Sequence, residues 1–319
     1  MERVLELEAS AKPAGGMVRK LNPIHRYSGA TMALSLAFLG PQGTYSEQAA
    51  LAYSQRLRNG PFGPVSDHRG ESGVELKAFP SILQAIQAVF TEETDLAIVP
   101  VENSIEGSVA VTLDALWQWP TLRIQEALVL PIANTLITHA TNLAAVKTLY
   151  SHPQPLGQCQ QWIKTHCPQA VLVPTRSTAE ALGYLAEDRT AAAIASQRAA
   201  QIYDLPILAW EINDQVDNCT KFLILGHHAS DQGTYTSLAF SLSANEPGAL
   251  LKPLQLLADA PINLSRIESR PTKRSLGEYL FFLELEAPVA SPVTQVALAQ
   301  LQHCTETLRV FGSYDVLPI

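Results

Sequence analysis

From residue 34 onward, short apolar runs, small polar clusters and helix-like segments follow one another in a repeating order. The run Ala33–Leu39 gives way to Gly40-Pro-Gln-Gly-Thr-Tyr-Ser46 and then to a helical segment over Glu47–Leu57. Asp95–Val101 is followed by Glu102-Asn-Ser-Ile-Glu-Gly107 and a helical Ser108–Trp117. Val146–Tyr150 leads through Ser151–Pro155 into a segment ending near Lys164. Ala170–Val173 leads through Thr175–Thr178 into Ala179–Ala186, and Ala191–Ala195 leads through Ser196 into Gln197–Tyr203. Thr44 with Glu47, and Ser177 with Glu180, have the spacing of a capping box, which marks a helix start. Strands alternating with helices predict a mostly parallel sheet covered by helices. In such sheets ligands bind beyond the carboxyl ends of the strands, where the polar clusters lie. Each cluster also opens a helix, whose unpaired N–H groups favour anions.

The run Ala127–Thr138 (ALVLPIANTLIT) is long, extended and apolar, and it stands between two sets of these units. It predicts a crossing between two lobes around a cleft, with a single larger sheet as the alternative. Ser230-Asp-Gln-Gly233 reads as a linker. Beyond it, Thr236–Ser243, Ile262–Ser269, Glu278–Leu285 and Thr307–Tyr314 are strand-like, while Gly248–Ala258 and Val293–His303 are helix-like. The order βαββαβ is that of a ferredoxin-like unit. Residues 1–33 lack periodicity and are interrupted by Pro13, Gly15, Gly16 and Pro23, so a disordered extension is expected there. The expected domains are therefore 34–229 and 235–319.

Composition narrows the function. The 319 residues are 47% hydrophobic and 16% charged, with a net charge of −8. That apolar content supports a core, and the negative balance argues against nucleic-acid binding. Split along the chain, the net charge is +2 over residues 1–33, −7 over 34–228 and −3 over 229–319. The expected cleft thus belongs to the most acidic part, so an anionic ligand would have to be captured locally. No apolar run approaches the roughly 18 residues of a membrane span, and no secretory h-region follows the charged start. The four cysteines (Cys159, Cys167, Cys219, Cys304) form no CxxC pair, which suits a reduced, cytoplasmic chain. Dinucleotide, P-loop, zincin and nucleophile-elbow motifs are absent, and no metal is expected. The histidines are scattered apart from His227-His228, and Cys219 has no identifiable base.

Five stretches together resemble the prephenate dehydratase family: Gly40–Glu47, Pro100-Val-Glu-Asn-Ser-Ile-Glu-Gly107, Ser151–Gln158, Ser177-Thr-Ala-Glu-Ala181 and Asp217-Asn-Cys-Thr-Lys-Phe222. Asn245-Glu-Pro-Gly-Ala-Leu250 and Ile267-Glu-Ser-Arg-Pro271 resemble the paired signatures of the ACT regulatory domain found in that family. The resemblance spans residues 34–319. It implies an α/β fold: a two-lobed, periplasmic-binding-protein-like catalytic domain followed by a ferredoxin-like ACT domain. It implies conversion of prephenate to phenylpyruvate with loss of carbon dioxide and water, a step toward phenylalanine. Aromatisation drives that reaction, so no cofactor is called for. The partners implied are prephenate, L-phenylalanine as allosteric effector, and a second copy in a homodimer or homotetramer. No nucleic acid or membrane is implied.

Residue by residue, the resemblance gives Thr220 the central role, as hydrogen-bond donor or relay to the departing ring oxygen. Asn103, Ser104, Ser151, Gln158 and Thr178 match other cleft positions that would bind carboxylates or orient the ring. Thr44, Ser177, Lys221 and Phe222 are weaker substrate-binding candidates. Thr44, Ser177 and Thr178 also read as helix caps. For phenylalanine, the resemblance points to Asn245, Pro247, Gly248, Ala249, Leu250, Glu268, Ser269, Arg270 and Pro271. One departure stands out: the family pattern is Thr-Arg-Phe, and this chain has Thr-Lys-Phe at 220–222. Arginine grips a carboxylate bidentately, whereas lysine is a point charge. If Lys221 touches substrate, Lys221→Arg should move the Michaelis constant more than the folding midpoint. Rival readings are an arogenate dehydratase and a non-catalytic small-anion sensor of the same fold.

Overall fold

The computed structural model describes residues 34–59 and 73–318; the expectation for residues 1–33 lies outside the described residues. Three sheets organise them. The first lobe contains β1 (Leu34–Leu39), α1 (Tyr45–Asn59), β2 (Val74–Phe79), α2 (Ile82–Phe90), β3 (Leu96–Asn103), β4 (Gly107–Ser108), α3 (Ala110–Gln118) and β5 (Arg123–Pro131). The second contains β6 (Asn134–Thr138), β7 (Thr148–Ser151), α4 (Pro153–Gln158), α5 (Gln160–His166), β8 (Val171–Pro174), α6 (Thr178–Gly183), β9 (Ala191–Ser196), α7 (Gln197–Ile202) and β10 (Ile207–Ala209). The chain then returns through β11 (Cys219–Gly226), which is inserted between β5 and β3 of the first sheet. The run Ala127–Thr138 is the outward crossing: its first half ends β5 and its second half forms β6 in the other sheet. The two-lobed α/β expectation holds.

The C-terminal unit comprises β12 (Tyr235–Ser241), α8 (Leu251–Asp259), β13 (Leu264–Pro271), β14 (Tyr279–Leu285), α9 (Pro292–Cys304) and β15 (Thr307–Tyr314). Its strand order β13-β14-β12-β15 is the ferredoxin-like one. Period-two alternation gives this sheet two apolar faces. Leu238, Phe240, Leu283 and Leu285 pack with Leu257 of α8 and with Ala297 and Leu301 of α9. On the other face, Ala239, Leu280, Phe282, Phe311 and Tyr314 share one core with Val101, Leu113, Leu116 and Ile124 of the first lobe. The final strand, β16 (Val316–Pro318), leaves the unit and pairs in parallel with β5. The C-terminal unit is thus tied to the first lobe both by a shared core and by backbone pairing.

The first-lobe sheet is likewise covered on both faces. Phe38, Tyr53, Ile98, Leu128, Phe222 and Ile224 form the core under α1. Among the described residues no helix is long and apolar enough to cross a membrane.

Candidate functional site

The carboxyl ends of β1, β3, β7 and β9 carry the polar loops toward the junction between the lobes, as the strand-helix pattern predicts. The lobes touch there through short polar contacts. Tyr45 Oη lies 2.9 Å from both Ala133 O and Asn134 Oδ1. Ser196 Oγ donates to Gly43 O at 2.9 Å. Gly43 holds φ +85°, and a Cβ there would sit 3.1 Å from the Ala199 Cβ, so only glycine lets the two helix starts approach this closely. The Arg198 Nε stands 3.6 Å from Glu47 Oε2 across the same seam.

Thr220 and Asn103 are neighbours on adjacent strands, and a β-bulge makes them so. Along β11 and β3, Leu223 pairs with Val99 and Phe222 with Pro100, but Lys221 pairs with Glu102 and Thr220 with Asn103. The extra residue in β3 is Val101, next to a proline that cannot donate to the ladder. A bulge re-aims every side chain beyond it. Without it, Asn103 would follow Val99 and Val101 toward the C-terminal unit. With it, Asn103 joins Thr220.

The amide of Asn103 has only one possible orientation. Its Oδ1 accepts from the backbone N–H groups of Ile105 (3.1 Å) and Glu106 (3.0 Å). Its Nδ2 is therefore the donor group, facing Asn218 Oδ1 at 2.9 Å, Thr220 Oγ1 at 3.0 Å and Cys219 O at 3.1 Å. Since Thr220 Oγ1 accepts from Asn103, the threonine's own hydrogen is left to donate elsewhere. Asn218 Nδ2 in turn donates to Gln158 Oε1 at 3.0 Å, and Asn134 Nδ2 lies 3.5 Å from the same oxygen. Gln158 Nε2 is buried without a partner, and so is Asn213 Nδ2, whose Oδ1 takes the Asn134 N–H at 2.6 Å. The cluster is nearly dry: Asn103, Asn218 and Gln158 are 5%, 2% and 5% exposed. Burial, followed by the nearby Asp214 charge and partly offset by a hydrogen bond from Asn134, pushes the Cys159 thiol up to about 12. That sulfur is no nucleophile at neutral pH. The arrangement is built of neutral donors of fixed polarity, suited to oxygen acceptors.

Residues 36–230 match the family model described as prephenate dehydratase. The chain belongs to the prephenate dehydratase family. It is 35% identical over 286 residues to the bifunctional chorismate mutase/prephenate dehydratase of Aquifex aeolicus, covering 88% of this chain and 73% of that one. It is 34% identical to the prephenate dehydratase of Methanocaldococcus jannaschii, covering 86% of this chain and 96% of that one. Among solved structures, the prephenate dehydratase of Arthrobacter aurescens in complex with L-Phe matches with a TM-score of 0.76 and 33% identity, covering 88% of this chain and 90% of that one.

Within this prephenate dehydratase fold the candidate residues separate clearly. Thr220, Asn103 and Gln158 come together in one network. Ser104 flanks it, its Oγ accepting the Cys219 N–H at 3.0 Å on the exposed rim. Ser151 is fully buried and its hydroxyl donates to Ile194 O at 2.6 Å, so that proton stitches the second-lobe sheet. Thr44 accepts the Glu47 N–H at 3.2 Å and Ser177 accepts the Glu180 N–H at 3.0 Å; both are caps. Thr178, half-buried, begins α6 beside that cap. Phe222 is core, 1% exposed, in the cluster with Phe38, Ile98 and Leu128.

Lys221 corrects the expectation of substrate contact. Strand alternation turns it to the face opposite Thr220 and Phe222. There its Nζ lies 2.7 and 2.5 Å from the two carboxylate oxygens of Glu284 on β14. The Tyr314 and Ser265 hydroxyls donate to the same carboxylate at 2.6 and 2.7 Å. Burial by itself would raise the Glu284 carboxyl, but the Lys221 charge and these hydrogen bonds together hold it below the ordinary carboxylate value. Lys221 joins the lobe to the C-terminal unit.

The effector candidates also divide. Asn245, Gly248, Ala249 and Leu250 line a cavity of about 610 Å³ together with Arg274, Glu278, Tyr279, Phe281 and Glu306. Pro247 lies in the same loop but not in that lining. Glu268 and Arg270 point instead at the first lobe: Ser108 Oγ donates to Glu268 Oε2 at 2.8 Å, and Arg270 pairs with Asp114 at 3.2 Å. Ser269 and Pro271 are exposed on the opposite side of β13. Asn218, Asn134, Asn213 and Tyr45 were not among the sequence candidates. Asn218 had a signal, being a polar residue two positions before Thr220 at the entry to β11. Asn134 had another: it is a polar residue inside the apolar run Ala127–Thr138.

Proposed function

We propose that this chain catalyses the decarboxylation and dehydration of prephenate to phenylpyruvate, with Thr220 serving the departing ring oxygen. The bond from the ring to its carboxylate breaks, the electron pair moves through the ring, and the carbon–oxygen bond at the far end breaks. The oxygen leaves as water once it has gained a proton. A threonine hydroxyl is far too weak an acid to give up its proton outright, so it acts as a positioned donor or relay. The observation that carries the reading is the Asn103–Thr220 contact, which occupies the threonine oxygen as an acceptor and frees its hydrogen. Donors preorganised in a dry site are a large source of rate enhancement. Asn103, Asn218 and Gln158 supply that environment without a net charge.

Phenylalanine is the proposed effector, held at the cavity beside Asn245–Leu250. The relative from Arthrobacter aurescens was solved with L-Phe, and the cavity has room for a free amino acid with both charged and aromatic side chains in its lining. A homodimer through the C-terminal unit fits the exposed apolar side chains Leu251, Ile267, Tyr279 and Val293. The deciding assay measures phenylpyruvate formed from prephenate, and phenylalanine formed from arogenate, each with and without added phenylalanine. Turnover of prephenate that Thr220→Ala reduces by about 10²–10⁴-fold is expected. Turnover by Thr220→Ala near that of the unsubstituted chain would sink the assignment.

A further inference from the structure

We infer that Asn218 is a positioning residue for the dehydratase reaction, fixing the Gln158 amide so that it offers a donor to the substrate. The inference rests on the proposed activity and deepens it. It follows from the direction of the hydrogen bonds rather than from proximity alone. The two backbone N–H groups that bind Asn103 Oδ1 can only donate, so they set the polarity of the whole chain of amides. Asn103 Nδ2 donates to Asn218 Oδ1, which forces Asn218 Nδ2 toward Gln158 Oε1. Gln158 Oε1 being taken, Nε2 is the end that remains, buried and unpaired.

A second line of contacts reaches the same end. Asn134 Nδ2 lies 3.5 Å from Gln158 Oε1, and Tyr45 Oη stands 2.9 Å from both Ala133 O and Asn134 Oδ1. Burial above all, and then Cys159, raises the Tyr45 phenol, so it keeps its proton as a donor. The Asn103–Asn218 chain thus sets the Gln158 amide, and Asn134 adds a longer contact, 3.5 Å, to the same oxygen. A buried NH₂ group with no acceptor is costly to leave unpaired. An oxygen of the substrate, carboxylate or keto, is the acceptor that would satisfy it. The side chain of Asn218 is 2% exposed and meets Asn103 and Gln158, so it acts through them and not by touching the substrate.

The test is a double-mutant cycle on kcat/KM for prephenate. Asn218→Asp keeps the shape but replaces the donor by an acceptor, so Gln158 must turn its NH₂ back and present its oxygen. Asn218→Leu removes the donor without adding charge. A hydrogen bond to a charged group governs about 10- to 100-fold in affinity or rate. Asn218→Asp should therefore lower kcat/KM about 10- to 100-fold, mainly through KM, with Asn218→Leu in the same direction but smaller. In a Gln158→Met background, which has no amide to orient, either substitution should add less than about threefold. An equal loss in both backgrounds would mean that Asn218 is structural or that the new charge acts by itself, and would overturn the inference. If Asn218→Asp does not fold, Asn218→Leu carries the same cycle alone. Absence of prephenate turnover in the unsubstituted chain would overturn both the activity and this inference; additive losses in a chain that turns prephenate over would overturn only the role of Asn218.

Discussion

Replacing Lys221 should weaken the joint between the first lobe and the C-terminal unit while leaving prephenate binding alone. The pair it forms with Glu284 is buried on both sides, with 15% and 8% of the two side chains exposed. Removing one partner of a fully buried pair costs about 3–5 kcal/mol, mostly for stranding the other charge. Two features reduce that figure here. Both groups keep some contact with water, and Glu284 would retain its hydrogen bonds from Tyr314 and Ser265. Lys221→Met is therefore expected to cost about 2–4 kcal/mol, read as a lowered urea midpoint. Glu284→Gln should cost a similar amount, since it strands Lys221 between the Tyr235 and Tyr314 rings at 5.4 and 5.8 Å. The double variant should recover at least about 1.5 kcal/mol of the summed loss, because neither charge then remains unpaired. Across this set KM for prephenate should change less than about twofold. Additive losses would refute the pairing, and a KM that moved more than the midpoint would restore Lys221 to the substrate site. Acid tests the same pair. The Glu284 carboxyl is held below its unfolded value of about 4.3, so its contribution is present above that pH and is lost as pH falls through the lower folded value. Stability should fall below about pH 4 in the unsubstituted chain and more gently in Glu284→Gln.

Three further predictions test the site and its frame. Asn103→Asp replaces the donor at Thr220 with an acceptor, so the threonine hydrogen should turn inward; kcat should fall about as far as in Thr220→Ala, on the order of 10²–10⁴-fold, and a fall below about tenfold would contradict the hydrogen-bond direction assigned here. Gly43→Ala forces a left-handed backbone and a close contact onto the seam with Ala199, costing about 1–3 kcal/mol in thermal or urea unfolding, and an unchanged midpoint would show that the lobes can separate freely there. Deleting residues 235–319 strips Phe282, Phe311 and Tyr314 from the shared core and removes β16, so the remaining chain should unfold or aggregate; a well-folded, cooperative truncated chain would show that the first lobe does not need this cover.

Much of the architecture was legible because periodicity is a local property. The strand, polar cluster and helix units, the crossing at Ala127–Thr138 and the βαββαβ order all follow from residues near one another in sequence. Two things were not legible. The face to which Lys221 points depends on which layer covers each side of the first sheet, and one of those layers is the C-terminal unit, where its partner Glu284 on β14 lies 63 positions away. The meeting of Asn103 with Thr220 depends on the bulge at Val101, and period-two counting along β3 would have aimed Asn103 at the wrong side. The β13 signature divides for a related reason: alternation gives Glu268 and Arg270 to Ser108 and Asp114 of the first lobe and leaves Ser269 and Pro271 on the other side. Sequence gives a strand's two faces; it does not say what each face meets.

The charge of the chain bears on the chemistry as well. The lobes carry a net −7 over residues 34–228, which works against long-range attraction of a dianion. An acidic shell can still enclose a site for one when the capture is local. The nearest cation to Thr220 in sequence, Lys221, is spent on Glu284, and Arg270 and Lys273 are spent on Asp114. Around Thr220 the junction is lined by amides and hydroxyls whose donors are oriented by backbone N–H groups, with Arg198 standing farther along the seam at Glu47. Such a set of donors would bind oxygen acceptors without stabilising a leaving carboxylate as strongly as an arginine fork would. For a reaction that must expel that carboxylate as neutral carbon dioxide, a weak grip on it lowers the barrier relative to the bound ground state. Neutral, polarity-fixed donors suit a step in which one carboxylate has to be lost and an oxygen at the far end has to be helped away.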